Sequence, residues 1–357
     1  MRPTTLLWSG ALVFLINCNP TKNNKENPSL KEELTIANVC YTFNPDYIFP
    51  NTGELIRPED GVSLPNGNII VSDQANGLRM IEPNGANRNF GNFASVNYAD
   101  VPVEKRTAPN GVFLESNGEY ILMADLSDGK IYRIHVESEE VSLIYDHPYG
   151  VNAVYRDKTG ALWFTQSTRS ANMLELFRDI NNLVPHGAIF RMADLNSDPV
   201  LVVDSLYLAN GLTMDKDEKF LYVAETMMDR IHKYEVDLEN GTLNYSGVAV
   251  HVGTPDNIKM DSEGRLLVAS PIYNKVIRFD LENQSSQVLF DGSTKDNSAI
   301  SNEWTRRSHL GIPRGELLTA EMFEPLPGLI TGMFLSQNDS ILFISNLGVD
   351  LLKLEIK

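Results

Sequence analysis

The stretch Ala209 to Tyr234 is repeated, register for register, by Pro255 to Phe279, and this repeat limits the fold more than any other feature of the chain. Ala209-Asn210-Gly211-Leu212-Thr213-Met214-Asp215 answers Pro255-Asp256-Asn257-Ile258-Lys259-Met260-Asp261. Each is followed by an apolar strand ending in a small residue, Leu221-Tyr222-Val223-Ala224 and Leu266-Leu267-Val268-Ala269. A polar turn and a third strand come next, Arg230 to Tyr234 and Lys275 to Phe279. The same unit recurs at Glu59-Asp60-Gly61-Val62, Pro109-Asn110-Gly111-Val112, Val151-Asn152-Ala153-Val154 and Thr331-Gly332-Met333-Phe334.

Six units at intervals of roughly 40 to 75 residues fall in the range of propeller and solenoid arrays. The strands are short, rich in β-branched and aromatic residues, and separated by Gly, Asn and Asp. No segment shows a sustained helical period, which argues against parallel β-α-β architectures. The expected fold is therefore all-β, a six-bladed β-propeller with four-stranded blades around a central channel. Blades bury their faces only against each other, so residues 39–357 form one domain. Either Tyr41-Thr42-Phe43 or Tyr47-Ile48-Phe49 is expected to supply the outer strand of the last blade and close the ring.

Ahead of the domain, Met1-Arg2 precedes an apolar run, Leu6 to Ile16, which is shorter than a bilayer span and placed where a secretory signal belongs. It ends Leu15-Ile16-Asn17-Cys18, which resembles a bacterial lipoprotein box with Cys18 as the lipidated residue. Asn17 departs from that pattern, in which Gly, Ala or Ser is usual before the cysteine. Residues 1–17 are read as a lipoprotein-type signal peptide and 18–38, rich in Asn, Lys and Glu, as a polar tether. The expectation is an exported chain anchored to the cell envelope by lipid; the alternative is an ordinary signal peptide cut nearby, and secretion. If Cys18 carries lipid, Cys40 has no disulfide partner within the chain.

The formal net charge of −17, with no cluster of Lys and Arg on one strand set, argues against nucleic acid as a partner, because neutralising phosphates needs the opposite sign. It is compatible with a cation site.

Residues at equivalent repeat positions converge on the axis of a propeller. That column reads Glu59 or Asp60, Asn110, Asn152, Asn210, Asp256 and Thr331, an oxygen donor in every place. Carboxylates with carboxamides, and no His or Cys, describe a site for a hard cation such as Ca²⁺. The competing explanation is that Asn and Asp stand there because they tolerate turn conformations.

Pro58-Glu59-Asp60-Gly61, Val151-Asn152, Ala209-Asn210-Gly211-Leu212 and Pro255-Asp256-Asn257-Ile258 resemble the divalent-metal ligand motifs of the gluconolactonase and senescence-marker-protein superfamily, to which the paraoxonases and, more distantly, strictosidine synthase belong. The resemblance covers about residues 55–357. It implies a six-bladed propeller and a lactonase or aryl esterase dependent on Ca²⁺ or another divalent cation such as Mn²⁺ or Zn²⁺. Glu59, Asn152, Asn210 and Asp256 would be the metal ligands, with Asn257 a fifth as in the paraoxonases. Asp256 would also serve as general base, a role that rests on the resemblance, and Asn110 would orient the substrate. Asn110 stands where paraoxonases carry a histidine, so a His-assisted water is not implied. Asp60 matches an acidic residue that in paraoxonases helps hold a second, structural metal.

The implied reaction is hydrolysis of a small lactone or ester, with the metal polarising the carbonyl. The rival reading is a lipid-anchored propeller that captures a ligand or protein without turning it over. Two insertions, Gln166 to Gly187 and Thr294 to Gly328, are placed by the strand count at the metal end of the channel. Their Met173, Leu174, Leu176, Phe177, Trp304, Met322 and Phe323 are expected to line a substrate pocket. Glu225 and Arg230 are read as an ion pair and Trp163 as core, while His186, His232 and His309 show no ligand spacing.

Overall fold

Strand pairing follows the repeat. In the computed structural model of the chain, which describes residues 40–98, 107–169 and 173–356, six antiparallel sheets each begin with one of the repeat strands. The innermost strands of blades 1 to 6 are Gly61–Ser63, Pro109–Leu114, Val151–Arg156, Ala209–Met214, Ile258–Met260 and Ile330–Leu335. The first three strands of each blade run outward in chain order, and in blade 4 all four do: Ala209–Met214 pairs with Phe220–Glu225, then Arg230–Asp237, then Thr242–His251. The fold is a six-bladed β-propeller. The expected signal peptide, tether and Cys18 lie outside the described residues.

Closure uses both N-terminal runs, for different blades. Ile48–Phe49 pairs antiparallel with Leu351–Glu355 and completes blade 6, tying the two ends of the domain together. Tyr41–Thr42 pairs in parallel with Ser285–Asp291 and adds a fifth strand to blade 5. Cys40, just before it, is disulfide-bonded, which corrects the expectation of a lone thiol.

The core lies between blades rather than inside one. Trp163 of blade 3 packs with Leu212, Leu221, Val223 and Tyr234 of blade 4, and its indole Nε1–H donates to Asp157 Oδ2 at 2.8 Å. Burial of each such side chain is worth about 1.5–3 kcal/mol, so no blade is stable without its neighbours.

Helix is the part of the architecture that the sequence reading missed. Two helices occupy the insertions: α1 (Met173–Asn182) and α2 (Lys295–Leu310). In α2, Thr294 and Asn297 form a reciprocal capping box, and Gly311 ends the helix with a left-handed φ of 64°. Its small polar residues hide the apolar positions Ile300 and Trp304 from a periodicity search.

Candidate active site at the head of the channel

The inner strands deliver the axial residues by a shared irregularity. The pairing register shifts between Pro109 and Val112, between Val151 and Val154, between Ala209 and Leu212, and between Ile330 and Gly332. Those gaps contain or adjoin Asn110, Asn152, Asn210 and Thr331. A bulge at each point re-aims one side chain out of the sheet, here towards the axis. None of Asn110, Asn152, Asn210 and Asp256 has positive φ, so tolerance of a left-handed turn is not what puts them there. The glycines beside them serve packing: a Cβ on Gly211 would lie 2.7 Å from the Asp256 carbonyl oxygen, and one on Gly332 would lie 2.5 Å from that of Glu59. The missing Cβ lets adjacent inner strands approach closely there.

A second set of residues, not singled out in the sequence, holds this backbone. Ser72 Oγ accepts from the Glu59 and Asp60 N–H groups at 2.9 and 3.2 Å, and Ser345 Oγ donates to the Glu59 carbonyl at 2.7 Å. Thr165 Oγ1 donates to the Asn210 carbonyl at 2.8 Å and accepts from Ala153 N–H at 3.0 Å. These hydroxyls sit near the ends of second strands, where the sequence showed only that small residues recur.

Glu59, Asn152, Asn210, Asp256 and Thr331, from five blades, all line one cavity of about 170 Å³. Each is buried. Asn210 Oδ1, Asp256 Oδ1 and Thr331 Oγ1 have no protein hydrogen-bond partner. Burial first, and the neighbouring Glu59 charge second, push the Asp256 carboxyl well above the usual carboxylate range; an Asn210 hydrogen bond opposes this. Burial likewise raises Glu59, against the lowering effect of Arg57.

Three expected residues are placed differently. Asn110 is fully buried but does not line the cavity. With its amide oriented to satisfy its neighbours, its nitrogen donates to both Glu59 oxygens at 2.9 Å and its oxygen accepts from Asn152 Nδ2 at 3.0 Å. It therefore positions two ring members rather than contacting substrate. Asn257 turns its Nδ2–H towards the Glu59 carbonyl at 3.4 Å and is not among the cavity-lining residues, so the structure does not bring it in as a fifth ligand. Asp60 points deeper into the channel, where Lys259 Nζ lies 2.9 Å from its Oδ2; an ammonium stands where the resemblance implied support for a second metal. Arg57, not foreseen, lines the cavity with Nη2 2.9 Å from Glu59 Oε2.

Do these residues suit a divalent cation? Among the described residues, no group of three or more His, Cys, Asp or Glu side chains comes together as a metal cluster. The ring has two carboxylates and draws its other oxygens from amides and a hydroxyl. Three unpartnered buried oxygens facing one cavity are what a hard, oxygen-seeking cation satisfies, and such ions accept neutral carbonyl ligands. The donor set fits.

Both insertions cover this end of the channel. Leu176, Phe177 and Ile180 of α1 line the cavity with Trp304 of α2, and with Leu318 and Met322 beyond it. Asn181 Oδ1 accepts from the Arg314 and Gly315 N–H groups at 3.0 and 2.6 Å, which joins one insertion to the other. Apart from the ring, Arg57 and the hydroxyl residues Ser167, Thr226 and Thr254, the wall is apolar and includes Leu208, Met227, Ile272, Leu329 and Leu347. Elsewhere the expectations hold: Glu225 pairs with Arg230 and, at 2.7 Å, with His232 Nε2. Trp163 is core.

Comparison with known proteins agrees with this architecture. Residues 128–291 match the SMP-30/gluconolactonase/LRE-like region. This gluconolactonase-like region runs from blade 2 to blade 5 and contains Asn152, Asn210 and Asp256, while Glu59, Arg57 and Thr331 lie outside it. Over 228 residues the chain is 27% identical to strictosidine synthase-like 4 of Arabidopsis thaliana, covering 62% of this chain and 58% of that protein. It is 22% identical over 227 residues to lactonase drp35 of Staphylococcus aureus, covering 51% and 69%. The chain thus spans about half the length of the first curated relatives, 58% and 44% of strictosidine synthase-like 4 and 7. Among solved structures, a Xanthomonas campestris gluconolactonase superposes with a TM-score of 0.57 at 18% identity, covering 85% of this chain and 87% of that one. A calcium-binding regucalcin of Agrobacterium tumefaciens does so with 0.57 at 13% identity, covering 88% and 94%. These superpositions bear on the fold alone.

Proposed function

We propose that the chain is a divalent-cation-dependent hydrolase of lactones or aryl esters whose non-reacting part is apolar. The observation that carries this reading is the convergence of five buried oxygen-bearing residues, three with unpartnered oxygens, on a cavity roofed by two apolar insertions. The match to gluconolactonase-like and lactonase sequences supports the reaction class. Glu59, Asn152, Asn210, Asp256 and Thr331 would hold the ion, Ca²⁺ being the first choice for an all-oxygen set. When bound, such an ion supplies a Lewis acid that polarises a carbonyl oxygen and lowers the pKa of water.

The residues of the chain do the rest. Asn110 fixes the Glu59 carboxylate and the Asn152 amide in one geometry, so that neither has to reorganise during reaction. Asp256 lines the cavity with an Oδ1 that no protein donor reaches, and, once a bound cation has offset the burial that raises its carboxyl, it would take a proton from an attacking water. Leu176, Phe177, Ile180, Trp304 and Met322 shed water from around the scissile group and bind acyl or aryl carbons. A polyhydroxylated sugar lactone would bring hydroxyls that this wall pairs poorly, because the Ser167, Thr226 and Thr254 hydroxyls already bond backbone groups.

A panel of γ- and δ-lactones and phenyl esters of increasing acyl length tests the proposal, assayed in chelator and after return of Ca²⁺. Turnover should disappear in chelator, return with the ion, and rise with acyl length. Binding of the same compounds without turnover in either state would make the protein a ligand-capturing propeller instead.

A further inference from the structure

Among the residues lining the cavity, Arg57 is the one cation. Its position is built rather than incidental. Its backbone takes a left-handed φ of 55° and its N–H donates to the Gly348 carbonyl at 2.9 Å. A non-glycine residue held in that region costs free energy and persists when its surroundings fix it. The guanidinium is held at two points, by the Pro109 carbonyl at 3.2 Å through Nη1 and by Glu59 Oε2 at 2.9 Å through Nη2. Its side chain is 14% exposed and that of Glu59 4%.

The result is an asymmetric ring. On one side the Glu59 carboxylate has Arg57 on Oε2 and the Asn110 amide across both oxygens. On the other side Asp256 Oδ1, Asn210 Oδ1 and Thr331 Oγ1 have no partner. The formal charge of the lining residues is two carboxylates less one guanidinium, leaving −1. A divalent ion coordinated by Glu59 must take Oε2 from the guanidinium or accept a positive charge a few ångströms away. A buried carboxylate already satisfied by a charge-assisted pair gives up that partner at a cost.

We propose that Arg57 is a built-in counter-cation of the axial ring, so that its guanidinium and a divalent ion compete for Glu59. The ring then stays assembled without the ion and releases the ion more readily than a ring lacking the arginine. Ion occupancy becomes sensitive to ion concentration instead of being locked by tight binding. This rests on the reading above that the ring takes a divalent cation.

Calorimetric titration of CaCl₂ into chelator-stripped, full-length protein tests the idea, with thermal melts of the ion-free forms alongside. Arg57→Gln should bind Ca²⁺ about 10-fold or more tightly than the parent, since removing a like charge at contact distance is worth at least about 1.4 kcal/mol. Its ion-free form should melt lower, because Glu59 loses its counter-charge. Arg57→Lys keeps the charge but loses the two-nitrogen fork that spans the Pro109 carbonyl and Glu59, and should fall between the two in Ca²⁺ affinity; it decides the matter if the glutamine variant does not fold. Equal or weaker Ca²⁺ binding in these variants, with the parent still binding, overturns the competition and leaves the metal ring standing. No binding to any of the three proteins overturns the metal ring itself, and the competition with it.

Discussion

Lys259 of blade 5 reaches across the channel to Asp60 of blade 1, its Nζ 2.9 Å from Oδ2 and 3.1 Å from the Val112 carbonyl of blade 2. Three blades are tied at one point below the axial ring. The Asp60 side chain is 2% exposed and accepts a further hydrogen bond from Val112 N–H at 2.8 Å.

Removing only the cation should therefore be costly. Lys259→Met leaves Asp60 buried without its counter-charge, and a broken buried pair typically costs about 3–5 kcal/mol. With the Lys259 side chain 27% exposed, about 2–3 kcal/mol is the expected loss in chemical denaturation. Lys259→Met with Asp60→Asn should recover more than half of it, and a double mutant as unstable as the single one would show that the lysine acts through packing.

Acid stability should depend on a triad at the ends of the blade 2 and blade 3 inner strands away from the axial ring. Glu115 accepts from Arg133 at 2.7 and 2.9 Å and from Arg156 at 2.9 Å. Burial pushes its carboxyl up, but the two arginines outweigh burial and hold it below the ordinary value of 4.5. The folded-state pKa is thus lower than the unfolded one. The triad's contribution is complete above about pH 4.5 and is lost as the pH falls through the folded-state value. Glu115→Gln should lower the melting temperature at pH 7, and the gap from the parent should narrow as the pH drops below 4.5. A gap independent of pH would mean that the arginines contribute packing alone.

The lid should separate binding from chemistry. Phe177 is 43% exposed yet lines the cavity, so Phe177→Ser removes apolar wall with little loss of core. For long-acyl esters kcat/KM should fall about 10-fold, the scale of one or two lost apolar contacts, while short-acyl substrates and the melting temperature change little. A uniform loss across acyl lengths would place Phe177 outside the substrate's path.

Most of the fold was legible because the repeat is a backbone fact: strand, turn and strand recur with one oxygen donor at one register. The axial residues were legible for the same reason, since a column of Glu, Asn and Asp stands out against strand-forming residues. Arg57 was not, because it lies outside the repeat unit and depends on a left-handed backbone that single-sequence reading gives no cause to expect of arginine. The helices were missed unequally. Leu176, Phe177 and Ile180 of α1 carry a short i, i+1, i+4 pattern that was there to be read, whereas α2 starts from a capping box and has few apolar residues. The separate duties of Tyr41–Thr42 and Ile48–Phe49 depend on which blade edge each reaches, and that is geometry rather than composition.

Metal binding and catalysis should part at two residues in matching positions of adjacent blades. Asn210 and Asp256 both line the cavity and each has an unpartnered oxygen, but only Asp256 can ionise and so exchange a proton. Asn210→Ala removes one neutral ligand and should chiefly raise the Ca²⁺ concentration needed for half-maximal activity, with most of the rate restored at high Ca²⁺. Asp256→Asn keeps the shape and one carbonyl oxygen but removes the charge and the base. Its maximal rate at saturating Ca²⁺ should fall by about 10²-fold or more, the usual scale for loss of general acid–base help. Steady-state rates across a Ca²⁺ series, read beside calorimetric affinities, separate the two effects. Full recovery of both variants would make Asp256 a ligand only, with the water activated without its help. No change in affinity or turnover in either variant would reduce the axial column to a packing motif and remove the hydrolase reading with it.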